Sequence, residues 1–291
     1  MNALDLLLLT SLGTVLFSVV FSASLTGRML LTMLYAVQTV ILFQIDAGTE
    51  MVSSFGFEIF NHALGLSFNG LSWFFALITL GSAFFAAWYG LNQQQKLLHV
   101  GLSANVFSML VLLSAGDFLS LFIAWELVSW SGVLLMVLGK QESLVATLKY
   151  ITYAIAGGMA VFAGIILIYS WTGSLAFNAV TENQLSLSQY GTLAILLIGG
   201  FSVKMALLPF HLWQAEAYAL TSGPASVFLG AISARMGLFA IVITMMHVVD
   251  LKTLDSIFLI PELFTFRDFL IWVAALSIIL PTYTALRQND A

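Results

Sequence analysis

The chain has 291 residues, of which 60% are hydrophobic and 8% charged, and its net charge at pH 7 is -5. Ordinary soluble domains are about a quarter charged, so this composition predicts an integral membrane protein. The absence of cysteine excludes disulfides, thiolate metal sites and cysteine nucleophiles. No basic run offers a nucleic-acid surface, and no Gly-rich phosphate-binding loop is present.

Long apolar runs follow one another along the whole chain. A helix needs about 20 apolar residues to cross the hydrocarbon core, and the runs predict an all-α polytopic protein of about nine spans, with no soluble domain. The predicted spans are residues 3–24, 29–45, 69–90, 97–115, 117–138, 145–171, 190–210, 223–248 and 266–287. The connections 46–68, 172–189 and 249–265 are the longest, and their scattered apolar residues predict caps that lie against the bundle.

The basic residues between the spans indicate an orientation. Lys252 and Arg267 lie on one side, whereas more basic residues lie on the other: Arg28, Lys96, Lys140 and Arg287. By the positive-inside rule, the second side is cytoplasmic. We therefore expect the N-terminus outside and the C-terminus in the cytoplasm, in the inner membrane of a bacterium.

Four ionisable residues fall within predicted spans: Glu126, Lys149, Lys204 and Arg235. A charge at the centre of a span costs about 2.5–3.5 kcal/mol on insertion scales, so such groups face a partner or a wet cavity. One interpretation is structural, with buried ion pairs that hold helices together. The other, which we favour, is a proton or ion path, in which Glu126 has a partner on another helix or is protonated.

The seventh span contains a lysine beside a predicted helix break. Pro209 removes the amide that would bond to the carbonyl of Met205, and its ring clashes there, so the helix should kink or break just after Lys204. Broken spans whose freed backbone groups line a cavity are typical ion sites of transporters. The Lys204 amine can take up and release a proton, and a nearby carboxylate changes which form is favoured.

Two further residues have chemistry that bears on such a path. Arg235 stays protonated in proteins, so it can hold water, bind a carboxylate or set the local field. Histidine imidazoles can exchange protons at physiological pH, and His211 follows Pro209 by two positions, where it either passes protons to the cytoplasm or caps a helix end. The histidines show no metal-ligand spacing, and we expect no metal, no cofactor and no catalytic group in this chain.

Three segments together carry a family resemblance. They are GDFLSLFIAWELVSWSGVLLMVLG (116–139), LVATLKYITYAIAGGMAVFAGI (144–165) and the stretch 203–241 that begins VKMALLPFHLW. In this order and spacing, they resemble the antiporter-like proton-pumping subunits of respiratory complex I, which are shared with Mrp-type cation/proton antiporters and membrane-bound hydrogenases.

The resemblance implies roles for residues that the chemistry already singled out. The coupled pair of a proton half-channel falls on Glu126 and Lys204, the sixth-helix lysine on Lys149, and the motif histidine on His211. Asp117, Arg235 and Glu216 are expected as supporting charges. Three positions depart from the family pattern, because Arg235 replaces a lysine, Glu216 an aspartate and Tyr218 a histidine that follows the broken helix.

The family has about fourteen helices in two inverted repeats, each of which supplies half a channel. The resemblance therefore implies N-terminal helices in 1–96, one complete five-helix repeat in 97–248 and the start of a second in 249–291. The missing half-channel is expected on a second polypeptide or on a longer form of this chain. Other membrane subunits and lipid are the expected partners.

These features favour a proton-translocating subunit of a multi-subunit membrane complex, driven by redox chemistry elsewhere or by a cation gradient. Two alternatives stay open: a non-conducting scaffold subunit of such a complex, and a subunit of an Mrp-type Na+/H+ antiporter. Nothing in the sequence separates Na+ from H+.

Overall fold

The fold is described from a computed structural model, which covers residues 2–59, 62–138 and 143–287. Within these residues, nine helices are long and apolar enough to cross a membrane. The predicted number of spans and the all-α polytopic class are therefore confirmed. Lys140, which contributed to the predicted orientation, lies outside the described residues.

The first six spans are continuous α-helices, whose ends agree with the predicted ones to within a few residues. Asn2, Ser24, Asn69 and Asp117 accept backbone N–H groups at the starts of the first, second, third and fifth helices, which satisfies donors that a helix start leaves free. The helices are α1 (Ala3–Phe21), α2 (Leu25–Leu42), α3 (Gly70–Tyr89), α4 (Lys96–Leu113), α5 (Phe118–Met136) and α6 (Ser143–Thr172).

The last three spans are less regular, and short helices lie between them. The seventh and eighth spans each contain one π-helical stretch, a feature often found at functional sites. The seventh span runs through α8 (Leu187–Leu193), a π-helix (Ala194–Ile198), α9 (Gly199–Met205), a 3₁₀-helix (Phe210–Trp213) and α10 (Gln214–Leu220); the eighth through α11 (Gly223–Phe228), a π-helix (Leu229–Ser233) and α12 (Ala234–His247). The ninth span is α14 (Phe266–Leu286), and the short helices are α7 (Ala179–Asn183) and α13 (Leu251–Ser256).

The predicted break in the seventh span is confirmed. Helix α9 ends at Met205, one residue after Lys204, and Ala206 adopts a left-handed conformation with φ of 53°. The predicted span ended at residue 210, whereas the helix resumes beyond Pro209 and continues to Leu220. The backbone N–H of Leu208, inside the break, donates to Ser277 Oγ of α14 at 3.0 Å.

Short hairpins and loops close one end of the bundle. The segment 46–68 forms two antiparallel pairs, and 249–265 forms a third; the strands are β1 (Met51–Val52), β2 (Phe57–Ile59), β3 (His62–Leu64), β4 (Ser67–Phe68), β5 (Phe258–Ile260) and β6 (Phe264–Thr265). Ser67 N–H donates to Ser114 O at 2.8 Å, and Gly116 N–H donates to Gly65 O at 2.8 Å. The first of these caps is therefore fixed to the α4–α5 turn, as predicted.

The backbones of helices α6 and α9 are in contact where two glycines face each other. A Cβ at Gly200 would lie 2.7 Å from Gly157 O, and a Cβ at Gly157 would lie 2.9 Å from Gly200 O. Small residues at such crossings let membrane helices approach closely. This close approach brings Lys204, one turn beyond Gly200, to the surface of α6.

We expect Gly200→Ala to destabilise the protein by about 1–3 kcal/mol, because the added methyl overpacks this crossing. The midpoint of unfolding by denaturant in detergent micelles measures the effect. Gly199→Ala is the matched control, since a Cβ at Gly199 meets nothing within 4 Å and alanine favours the helix by up to about 1 kcal/mol. Equal midpoints for the two variants would contradict the packing described here.

Candidate functional site

The amine of Lys204 lies buried where α5, α6 and α9 meet. Its Nζ donates to Ser129 Oγ at 3.1 Å and to Tyr150 OH at 3.0 Å. The same atom lies 5.3 Å from the centroid of the Trp125 ring, within the range of a cation–π interaction. Two hydroxyls and an aromatic ring therefore surround this amine.

The break after α9 is held by the indole of Trp213, which is fully buried. Trp213 Nε1 donates to Val203 O at 2.9 Å, and Leu207 N–H donates to Ser202 O at 3.2 Å. In a continuing helix Val203 O would accept the Leu207 N–H, whereas here it accepts the indole and the Ala206 N–H, the latter at 3.1 Å. The Trp213 ring also packs against Tyr150, with ring centroids 4.8 Å apart, so one side chain positions both the break and a partner of Lys204.

Glu126 lies on α5, one turn before Ser129, and is half-buried. Its Oε1 atom is buried and has no hydrogen-bond partner among the described residues. Gly158 of α6 lies against this oxygen so closely that a Cβ at position 158 would overlap it. The carboxylate therefore rests in a space that exists because residue 158 is glycine.

Two small cavities adjoin Lys204 and Glu126. One is lined by Lys204, Tyr150 and Trp125 and the other by Glu126 and Trp130, while Ser129 and Ala154 line both. Each has a volume of about 10 Å³, close to the space that one water needs. In the described part of the chain, the ion pairs within 4.0 Å are Lys149–Glu216 and Arg267–Asp255. Glu126 and Lys204 are thus neighbours across Ser129 and do not form a direct ion pair.

Lys149 and Glu216, which the sequence predicted separately, form an ion pair. Lys149 Nζ lies 3.0 Å from Glu216 Oε2, and both side chains are partly exposed. The pair joins α6 to α10 at the end of the bundle that the sequence predicts to be cytoplasmic. Tyr150, the residue after Lys149, accepts a hydrogen bond from the Lys204 amine of α9, so adjacent positions of α6 contact Glu216 and the buried amine.

The other predicted residues lie apart from Lys204. His211 is half-buried in the 3₁₀-helix, and its Nδ1 has no hydrogen-bond partner among the described residues. Arg235 is exposed on the eighth span, where Nη1 donates to Gly230 O of the same span at 2.9 Å. Asp117 lies at the opposite end of α5 from Lys149, where it accepts Ser120 N–H at 2.6 Å and also the N–H of Gly65. Its contacts are those of a helix cap.

Sequence reasoning missed four residues that shape this site: Ser129, Tyr150, Gly158 and Trp213. A signal existed for two of them, because Ser129 follows Glu126 by three positions on the same helix face and Tyr150 adjoins Lys149. The roles of Gly158 and Trp213 depend on contacts between separate helices. No spacing within one helix indicates them.

Comparison with known proteins assigns the family. The model of the NADH:quinone oxidoreductase/Mrp antiporter transmembrane family matches residues 115–291, more than half of the chain. The chain belongs to this family. The match includes all of the helices that form the Lys204 site, and it confirms the resemblance drawn from the three segments.

Relatives in this family include respiratory and antiporter subunits. The chain is 32% identical over 183 residues to a Staphylococcus saprophyticus protein named as antiporter subunit mnhA2, covering 59% of this chain and 23% of that protein. It is 29% identical over 185 residues to NADH-quinone oxidoreductase subunit N of Desulforudis audaxviator, covering 62% of this chain and 35% of the relative. These alignments span well under half of each relative.

A solved structure shares the family fold over almost the whole chain. It is the membrane-bound sulfane sulfur reductase, an archaeal respiratory membrane complex, with a TM-score of 0.84 and 19% sequence identity. The match covers 96% of this chain and 46% of the compared chain. The chain is therefore an integral membrane protein with the fold of antiporter-like subunits.

We expect Trp213→Phe to destabilise the protein by about 0.5–1.5 kcal/mol, because it removes one of the two hydrogen bonds that the buried Val203 O accepts, the other coming from the Ala206 N–H. Thermal unfolding in detergent, followed by circular dichroism, measures the loss. Trp88→Phe serves as a control, since Trp88 is exposed and such surface changes are usually within about 0.5 kcal/mol. Similar unfolding temperatures for both variants would show that the indole bond does not hold the break.

Proposed function

We propose that this chain is a proton-translocating, antiporter-like subunit of a multi-subunit membrane complex, in which Glu126 and Lys204 form a coupled pair in a proton half-channel. One observation carries the proposal: a buried amine and a carboxylate with a buried, unpartnered oxygen face two water-sized cavities that share Ser129. Intramembrane ionisable groups of this kind are expected to mark ion or proton paths.

The charges support movement of a proton between the two groups. A carboxylate stabilises a nearby ammonium, and the ammonium stabilises the carboxylate, so protonation of either one changes the proton affinity of the other. A direct ion pair would hold both groups in their charged forms. Separation by one hydroxyl and two water-sized spaces lets water complete a hydrogen-bonded chain without such a pair.

Lys149, Glu216 and His211 are proposed to connect Lys204 to the predicted cytoplasmic side. Lys149 and Glu216 meet at the bundle end, and Tyr150 links the same stretch of α6 to the buried amine. The buried Nδ1 of His211 has no hydrogen-bond partner among the described residues, so we assign this nitrogen to the connection. Residues 97–248 would form one repeat of the antiporter type, with 1–96 and 249–291 outside it.

The proposed partners are other membrane subunits, among them a second antiporter-like half. The multi-subunit composition of the matched archaeal complex supports this. We also propose that the protein lies in a bacterial inner membrane with its N-terminus outside, as its charged connections predict.

Lys204→Ala and Glu126→Gln should each abolish coupled proton movement, because each removes one member of the pair. Proton uptake by membrane vesicles that contain the native complex, followed with a pH-sensitive dye, measures the effect. The yield of purified complex should stay at the wild-type level. Wild-type flux in both variants would overturn the proposal.

The same measurements separate the alternatives. A scaffold role predicts that the variants lower the yield of the complex and leave its proton flux per complex unchanged. Sodium coupling predicts that uptake of radioactive Na+ falls together with proton flux. Proton flux that falls while Na+ uptake is absent in all samples supports the proposed proton channel.

We expect Ser129→Ala to slow proton movement roughly tenfold or more, because it removes the hydroxyl between the two cavities and a hydrogen bond to the charged amine, worth about 1.5–3 kcal/mol. Vesicle uptake rates, normalised to the amount of assembled complex, report the change. Ser108→Ala is the control: Ser108 is buried on α4, and its hydroxyl donates to Ala104 O of its own helix. Equal rates for both variants would exclude a relay through Ser129.

A further inference from the structure

A large cavity lies at the end of the bundle opposite Lys149 and Glu216. Its volume is about 530 Å³, which corresponds to roughly 18 waters at liquid density. Parts of several elements line it: the segment before β1, the starts of α3 and α5, the loop before α7, and the end of α12. We call this cavity the vestibule.

The vestibule wall is built and fixed by specific contacts. Asn69 caps α3 by accepting Ser72 N–H at 3.0 Å, and the Gly65–Gly116 hydrogen bond closes the wall beside it. A Cβ at Gly116 would lie 2.9 Å from the Gly65 carbonyl carbon, so these two backbone segments meet only because residue 116 is glycine. The cavity is therefore part of the fold and not a gap between loosely packed ends.

Among the described residues that line the vestibule, Glu50 is the one charged side chain and His247 the one imidazole. The ring of His247 stacks on Phe177, with centroids 4.7 Å apart and an interplanar angle of 17°. The other polar groups are neutral: Ser67, Asn69, Ser72 and Asn178. Asp250, three residues after His247, caps α13 through Thr253 and lines a separate cavity.

We propose that the vestibule is a cation-selective, water-filled site, in which Glu50 concentrates cations and His247 sets the pH range over which it does so. Neutral oxygen and amide groups with a single carboxylate suit hydrated monovalent cations, including hydronium. An imidazole ordinarily gains its charge between pH 5 and 8, and its positive charge would oppose the field of Glu50. The vestibule would therefore select cations while the imidazole is neutral and lose the preference as falling pH gives the imidazole its charge.

This inference concerns a site separate from the Glu126–Lys204 pair, and it stands if that pair does not conduct. The chain contains no cysteine, so a single introduced cysteine reports on one position. Ser67→Cys places a thiol in the vestibule wall with the smallest change of side chain. The probes are two thiol reagents of opposite fixed charge, one with a trimethylammonium group and one with a sulfonate.

For purified protein in lipid nanodiscs at pH 7.5, the reaction rate of the cationic reagent is divided by that of the sulfonate reagent. This ratio is then divided by the same ratio measured for 2-mercaptoethanol. The thiolate fraction cancels in this ratio. A carboxylate about 6 Å away in water attracts a cation and repels an anion, which together change the ratio roughly tenfold. We expect a tenfold preference for the cationic reagent in Ser67→Cys, and no preference when Glu50→Gln is added.

Lowering the pH to 5.5 should reduce the preference, and His247→Gln should preserve it at that pH. Ser108→Cys, at a buried position of α4, should react with neither reagent. A Ser67→Cys protein that has the wild-type unfolding temperature but does not react would show that the vestibule is closed. A ratio that Glu50→Gln leaves unchanged would overturn the cation selectivity, and a ratio independent of pH would overturn the role of His247.

Discussion

The buried amine of Lys204 imposes the constraint on which the rest of the site depends. A buried amine needs hydrogen-bond partners, and here they come from two different helices, Ser129 on α5 and Tyr150 on α6. Those helices must stay in contact with α9, and the Gly157–Gly200 crossing provides that contact for α6. The site therefore exists only as an assembly of three helices, and no part of it is complete in one segment of the chain.

One side chain, that of Trp213, links the helix break to the surroundings of Lys204. In a continuous helix the Leu207 N–H would bond to Val203 O, whereas here it bonds to Ser202 O, and Val203 O accepts the Trp213 indole together with the Ala206 N–H. The indole also packs on Tyr150, so the group that closes the broken helix end also fixes a partner of the amine. The position of the Glu126 carboxylate depends on Gly158, which has no side chain and therefore leaves room for it.

The sequence predicted what depends on local chemistry. The nine spans follow from the lengths of apolar runs, and the break after Lys204 follows from Pro209, which cannot supply the amide that a helix requires. The sequence could not predict that Ser129 lies between Glu126 and Lys204, because this depends on how α5, α6 and α9 cross. The hydrogen bond of Arg235 to Gly230 O of its own span likewise depends on side-chain placement that the sequence does not give, and its role as a supporting charge stays a prediction. Asp117 was singled out for its charge, and its contacts are those of a cap.

The hydrogen bond from Leu208 to Ser277 has a mechanical consequence. It ties the irregular backbone beside Lys204 to α14, a helix of which only Phe266 is buried among the described residues. Hydrogen bonds of this type tolerate only a few tenths of an ångström of stretch, so α14 cannot slide by about one ångström without breaking the bond or carrying the break with it. A broken bond would leave an amide unpaired at a cost of about 1–3 kcal/mol. A neighbour that binds along the exposed ninth span and shifts it would therefore change the free energy of the backbone next to the buried amine.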